Sequence, residues 1–96
     1  MGACLASDRI TVDGQYVGHM YRETTNDPMD SGWRFLAGDE AQEYCDNSGN
    51  FGLFAVNTIA NYDRSIIPLL DIEAPCAFVR DGAGSEFRAV TPITEC

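Results

Sequence analysis

The segment Ile10–Val17, ITVDGQYV, carries the strongest structural signal in the chain. Asp13-Gly14 stands between two runs rich in β-branched and aromatic residues. Asp-Gly is the preferred two-residue connection of a β-hairpin, because both residues tolerate a positive φ. The pattern therefore predicts paired strands at about residues 8–12 and 15–22.

The remaining elements follow outward from this hairpin. Residues 23–32 are turn formers and predict a loop, after which residues 33–36 predict a short strand. Asp39 and Gln42 have the spacing of a capping box, so we expect a helix over about residues 40–46. Residues 53–61 are ambiguous, but their apolar spacing favours a short helix with Asn57 near its start.

The last third of the chain predicts a second hairpin. Its strands are residues 76–80 and 86–90, joined by the loop 81–84. Residues 66–70 are apolar, but Pro68 cannot donate to a central ladder, so this segment predicts an edge strand or a turn. We expect the tail after Pro92 to be frayed.

These elements predict one small α+β domain over residues 1–96, with a core at about 3–90 and a C-terminal tail at 91–96. We expect an antiparallel sheet of about five strands with one or two short helices, and a radius of gyration of roughly 12–13 Å. Exposed sheet edges are candidate partner surfaces, although most natural edges are simply protected.

The chain contains no lysine, and its 6 basic residues, all arginines, stand against 15 acidic ones, giving a formal net charge of -9. The missing lysine excludes lysine-dependent phosphate loops and Schiff-base chemistry, and 1 His excludes a paired-histidine zinc site. An acidic surface repels nucleic-acid phosphates and favours a positively charged partner. The alternative is that the charge serves solubility alone.

The sequence predicts a cytoplasmic protein. It shows no secretory signal and no apolar run long enough for a membrane span. The four cysteines form no C-x-x-C motif, so we expect mostly packed, reduced thiols.

Catalytic and metal sites find little support in the sequence. His19 is the only candidate general base, and no orienting partner is evident beside it. The acidic residues do not match a calcium loop, and those near residue 39 fit a helix N-terminus. Gly82-Ala83-Gly84 predicts a hairpin loop and no phosphate site. We therefore expect no catalytic residue, no metal and no cofactor.

Two segments, Asp30–Phe35 and Asn57–Asp63, combine a Trp, a Tyr, an Arg and several amides. Trp, Tyr and Arg often anchor interfaces, but Asn and Asp also cap helices and close turns, and Arg34 could simply pair with a carboxylate. Both interpretations stay open. The candidate partner-binding residues are Asp30, Trp33, Arg34, Asn57, Asn61, Tyr62 and Asp63.

The same segments resemble a known family. Ile10–Gly14, Val17–Glu23, Asp30–Glu40 and Asn57–Asp63 are similar to the DUF2185 family, also called the Imm33-like immunity domain, and the similarity spans about residues 3–90. The resemblance implies an immunity protein of bacterial polymorphic toxin systems. Such a protein would bind a cognate toxin domain and block it.

The first hypothesis is therefore a non-enzymatic immunity protein that occludes a cognate toxin domain, and the acidic charge favours a basic toxin. We expect neither nucleic acid nor membrane as a partner. The alternative is a general peptide- or small-ligand-binding or regulatory module. A small enzyme that uses His19, or a purely structural role, are further alternatives.

Overall fold

The computed structural model describes residues 2–82 and 85–91. In this part of the chain the strands are β1 Ala3–Ser7, β2 His19–Arg22, β3 Asp30–Leu36, β4 Phe51–Ala55, β5 Cys76–Val79 and β6 Arg88–Val90. The α-helices are α1 Asp8–Thr11, α2 Gln42–Cys45 and α3 Val56–Tyr62, and two 3-10 helices span Ser48–Asn50 and Arg64–Leu69. The radius of gyration is 12.0 Å, as the chain length predicts.

The strands form one mixed sheet in the order β4-β1-β3-β2-β5-β6. Neighbouring strands are antiparallel except β1 and β3, which pair in parallel. The predicted α+β class is confirmed, and the sheet has six strands with one parallel pair where about five antiparallel strands were expected. Two strands are not among those predicted, β4, part of which lies in the segment 53–61 that favours a helix, and β1. The sequence of β1, ACLAS, has no β-branched residue, and pairing with β3 and β4 on its two sides stabilises it.

The predicted hairpin around Asp13-Gly14 is wrong. Residues 8–11 form helix α1, whose N-terminus is capped by Ser7, with the Arg9 N–H donating to Ser7 Oγ at 3.1 Å. Gly14 has φ +78°, and the Asp13 N–H donates to the Asp8 carbonyl, a bond typical of a helix C-terminus. The positive-φ glycine thus ends a helix. Of the predicted second strand, only residues 19–22 pair in the sheet.

The other predicted elements are mostly confirmed. Helix α2 lies inside the predicted 40–46, and the second hairpin is formed by β5 and β6. The ambiguous segment 53–61 contains the end of β4 and then α3, with Asn57 near its start. The edge-strand alternative for residues 66–70 is wrong, since most of this segment lies in a 3-10 helix. Within the described residues, no helix is long and apolar enough to cross a membrane.

Two other predictions differ in detail. Strand β3 begins inside the predicted loop 23–32, at Asp30, three residues before the expected start. The predicted loop 81–84 is described only in part, and the tail after Pro92 lies outside the described residues.

The hydrophobic core lies on one face of the sheet. Trp33 and Phe35 of β3 are fully buried there, and their rings stack with centroids 5.9 Å apart. The buried side chains of α1, α3 and the second 3-10 helix pack onto this face, namely Ile10, Val56, Ile59, Ala60 and Ile66. Because side chains alternate along a strand, Arg34 points to the opposite face.

The cysteines divide into two states. Cys4 and Cys76 are free, and burial raises the pKa of the Cys4 thiol to about 12, which makes it unreactive. Cys45 is disulfide-bonded, so the expectation of reduced thiols is wrong for this residue. Cys96 lies outside the described residues.

A buried ion pair joins the helical layer to the sheet. Arg80, just after β5, donates to the Asp63 carboxylate at the end of α3, to Val17 O at 2.8 Å and to Ser65 Oγ at 2.7 Å. Asp63 in turn accepts from the Val17 N–H at 3.0 Å. The Arg80 guanidinium also lies 4.4 Å from the centroid of the Phe87 ring. Both charged side chains are almost fully buried, at 2% and 5% exposure.

Replacing Asp63→Ala should lower the free energy of unfolding by about 3–5 kcal/mol, because Arg80 would remain buried without its counter-charge. Urea denaturation of both proteins measures the difference. The matched control is Asp81→Ala, which removes an ion pair with Arg88 whose side chains are 81% and 60% exposed. That control should change stability by less than about 1 kcal/mol. Equal losses in the two variants would contradict a stabilising role for the buried pair.

Candidate partner-binding site

Arg34 forms the centre of an ion cluster on the face of the sheet opposite the core. Its guanidinium makes a two-pronged contact with the Asp30 carboxylate, at 3.0 Å for each nitrogen. Its Nε donates to Glu23 Oε2 at 3.1 Å. The Arg34 side chain is only 14% exposed, so the cluster is partly shielded from water. The carboxylate-pairing interpretation of Arg34 is therefore confirmed.

The hydrogen bonds from Arg34 lower the pKa of Asp30 below its ordinary value of 3.8, although partial burial opposes this shift. The bond to Asp30 raises the pKa of Arg34 in turn. Both groups are therefore charged throughout the physiological pH range. Arg34 thus holds the carboxylates of Asp30 and Glu23 in fixed positions beside a cleft.

That cleft lies at the end of the sheet where β2 stops and β3 begins. It has a volume of about 420 Å³. Its lining residues are Arg22, Glu23, Thr24, Thr25, Asn26, Asp27, Pro28, Asp30, Ser31, Glu73 and Ala74. Four of these carry carboxylates and one carries a positive charge, so the cleft is acidic and polar.

Arg22, the one cation among the described residues that line the cleft, donates to backbone carbonyl oxygens. Arg22 donates to Ser31 O at 2.8 Å and to Ile72 O at 2.8 Å, and its guanidinium lies 5.6 Å from the centroid of the Trp33 ring. These bonds join the wall formed by residues 71–74 to the end of β2 and the start of β3. Because its N–H groups donate to backbone carbonyl oxygens on both walls, Arg22 connects the two walls of the cleft.

A glycine sets the approach of the two strands at the cleft. Gly32 in β3 has φ +86°, and a Cβ there would lie 2.2 Å from the Glu23 carbonyl oxygen. The Glu23 N–H donates to the Gly32 carbonyl at 2.9 Å. Only a residue without a side chain permits this contact, which places Glu23 within reach of Arg34.

The predicted site residues do not form one surface. Asp30 lines the cleft and Arg34 lies beside it. Trp33 is fully buried, and its Nε1 donates to Leu70 O at 3.3 Å, so its side chain presents no surface. Asp63 is likewise buried, in the ion pair with Arg80.

Asn57, Asn61 and Tyr62 lie on the exposed side of α3, and Tyr62 is 49% exposed. Since α3 covers the core face of the sheet, these residues are on the other side of the molecule from Arg34. The structure thus separates the predicted set into two surface groups and two core residues. A partner would have to extend around the sheet to contact both groups.

Sequence reasoning missed Glu23, Asp27 and Glu73 as parts of the candidate site. A signal was present for the first two, because residues 23–30 combine turn formers with three acidic side chains. Glu73 enters the cleft from a distant part of the chain. No local pattern could have indicated it.

His19, the candidate general base, is half-buried in β2, with its ring centroid 5.6 Å from that of Tyr21. Burial lowers its pKa, although the Glu40 carboxylate opposes this shift. The imidazole is therefore neutral at physiological pH. It contacts an aromatic side chain in the sheet and does not line the acidic cleft.

A comparison with protein families matches residues 4–91 to the immunity protein Imm33 domain. No curated protein and no solved structure gives a significant match. The matched range begins at the second residue of β1 and extends through β6, and therefore includes both walls of the cleft.

Replacing Arg34→Gln should raise the pKa of Asp30 toward 3.8, because the variant removes the two charge-assisted bonds that favour the carboxylate. The carboxyl carbon of Asp30, followed by NMR during an acid titration, measures this shift. In the native chain the folded pKa is below the unfolded one. The Arg34–Asp30 pair therefore stabilises the folded chain at pH values above the unfolded pKa of Asp30. This contribution is lost as the pH falls through the folded pKa of Asp30.

The control for this titration is Arg88→Gln. Arg88 pairs with Asp81 at 3.4 Å on the surface, away from Asp30. An unchanged Asp30 titration in the Arg34 variant, or an equal shift in the Arg88 variant, would show that the pairing does not set the Asp30 pKa.

Proposed function

Because the chain belongs to the Imm33 immunity protein domain family, we propose that it neutralises a cognate bacterial toxin domain by binding and occluding it, without catalysis. The observation that carries this proposal is the family match, which covers residues 4–91 of the 96-residue chain. A small domain can block an active site simply by covering it. The function then requires a stable surface of suitable shape and charge.

The acidic cleft is the surface that best suits this role. The Asp30 and Glu23 carboxylates are held by Arg34, while Glu73 and Asp27 add negative charge to its walls. An Arg or Lys side chain of a toxin would find carboxylates already arranged there, which lowers the ordering cost of binding. We therefore propose that the toxin is basic and inserts a cationic side chain into the cleft.

The net charge of -9 supports the same partner. A strongly acidic chain attracts a basic protein over distances comparable with the Debye length, about 10 Å at 0.1 M salt. Such attraction mainly increases the association rate. Fast capture suits an immunity protein, because a free toxin acts as long as it remains unbound.

The second candidate is a module that binds a basic peptide. The cleft volume of about 420 Å³ is in the range of small-ligand sites. Its lining is largely charged and polar, whereas sites for drug-like ligands are mostly apolar. A short basic peptide would use the same carboxylates as a toxin side chain, so only the biological partner separates the two functions.

Co-expression with toxin genes from the same locus should restore growth of a toxin-producing strain. Plating efficiency with and without this protein measures the rescue. Rescue by one toxin gene and not by unrelated toxins would support specific immunity. If no toxin of the locus is neutralised, while a basic peptide binds the purified protein, the second candidate is favoured.

Replacing Glu73→Lys should weaken toxin binding by at least about tenfold, or about 1.4 kcal/mol, because it places a positive charge in the acidic cleft. Surface plasmon resonance at low and high salt measures the association rate and its salt dependence. Glu86→Lys is the matched control, since it makes the same charge change at an exposed residue outside the cleft. Equal weakening by both variants would point to net charge alone and contradict binding in the cleft.

A further inference from the structure

Strand β4 forms one edge of the sheet. It pairs with β1 on one side, and no strand in the described part of the chain pairs with its other side. Leu53, at the middle of β4, is 72% exposed. Free edges usually carry charged residues, proline or a bulge that prevents pairing with another chain.

β4 has none of the usual charge protection. Residues 47–62, which include β4, contain no charged side chain and form the longest uncharged segment of the sequence. The opposite edge differs, because β6 has only three residues, carries Arg88 and follows a loop with Asp81 and Glu86. In a chain with a net charge of -9, β4 is therefore the edge where a second copy meets the least charge repulsion.

The backbone of β4 presents its free groups in a symmetric arrangement. The Val56 N–H donates to the Gly2 carbonyl at 3.2 Å, so Gly2 and Val56 form a hydrogen-bonded pair. Such pairs alternate along an antiparallel ladder, which directs the backbone groups of Phe54 and Gly52 toward β1. The N–H and C=O groups of the three intervening residues point outward, namely Phe51, Leu53 and Ala55.

We propose that β4 pairs antiparallel with β4 of a second copy of this chain, with the two-fold axis at Leu53. Each Leu53 then lies opposite its counterpart, and Phe51 lies opposite Ala55. In this register Phe51, Leu53 and Ala55 of each copy all lie in hydrogen-bonded pairs. The outward N–H and C=O groups of both strands are therefore satisfied. The two sheets become one continuous sheet.

This dimer is compatible with toxin binding and does not depend on it. None of the cleft-lining residues belongs to β4. A basic toxin would be attracted by carboxylates, which β4 lacks, whereas a second acidic copy requires a neutral contact. The occupant that fits the edge is therefore another copy of the chain.

Sedimentation equilibrium of the full chain without any toxin tests the proposal. The native protein should form a concentration-dependent dimer, and Leu53→Lys should weaken it at least tenfold, because two like charges would face each other across the axis. Val12→Lys is the matched control, since Val12 is 74% exposed and also apolar but lies outside the sheet. That variant should dimerise as the native chain does.

Amide hydrogen exchange identifies the interface. On dimerisation, the amides of Phe51, Leu53 and Ala55 should exchange more slowly, while those of Gly52 and Phe54 should change little because they already face β1. If Leu53→Lys does not fold by circular dichroism, Ala55→Lys at the second exposed position of β4 tests the same edge, because it places a charge opposite Phe51 of the second copy and should also weaken the dimer. A native chain that stays monomeric at high concentration, or a dimer whose β4 amides are not slowed, would overturn the proposal.

Discussion

The buried Arg80–Asp63 ion pair is the interaction on which the rest of the structure depends. It connects the end of β5, the end of α3, the second 3-10 helix and the backbone of Val17 before β2. These segments are far apart in the chain, and each contributes a hydrogen-bond donor or acceptor whose partner lies on another segment. Burying two charges is favourable only if their hydrogen-bonding groups are paired, so the elements must assemble in one arrangement. In this way the pair determines how the helical layer sits on the sheet.

Once that layer is in place, the two faces of the sheet differ in chemistry. One face is covered by α1, α3 and the 3-10 helix, whose buried side chains surround Trp33 and Phe35. The Arg34 cluster lies on the other face, and the acidic cleft lies at the sheet end. Asp30 in β3 and the connections that border the sheet supply the charged residues available to a partner. The uncharged edge at β4 adds a third surface with a different chemistry.

Part of the candidate site could be predicted from the sequence and part could not. Asp30 and Arg34 are predictable because the segment Asp30–Phe35 combines a Trp and an Arg, residue types that often anchor interfaces, in turn-rich surroundings. Trp33 was placed in the same set, but strand alternation turns its side chain toward the core while Arg34 faces outward. Glu73 belongs to the cleft only because of the fold. Its position beside the β2–β3 connection depends on the hydrogen bonds that the Arg22 side chain donates to the carbonyl oxygens of Leu70 and Ile72.

The sequence alone determined the α+β class, the second hairpin, the helix that contains Asn57 and the acidic character of the surface, because these follow from local spacing and composition. Tertiary structure decided the role of Asp13-Gly14, since the same positive-φ glycine can close a hairpin or end a helix. It also decided that ACLAS becomes a strand. That segment has little intrinsic preference, and its hydrogen bonds exist only when β3 and β4 lie on its two sides. Non-local pairing of this kind leaves no pattern in the sequence of the strand that depends on it.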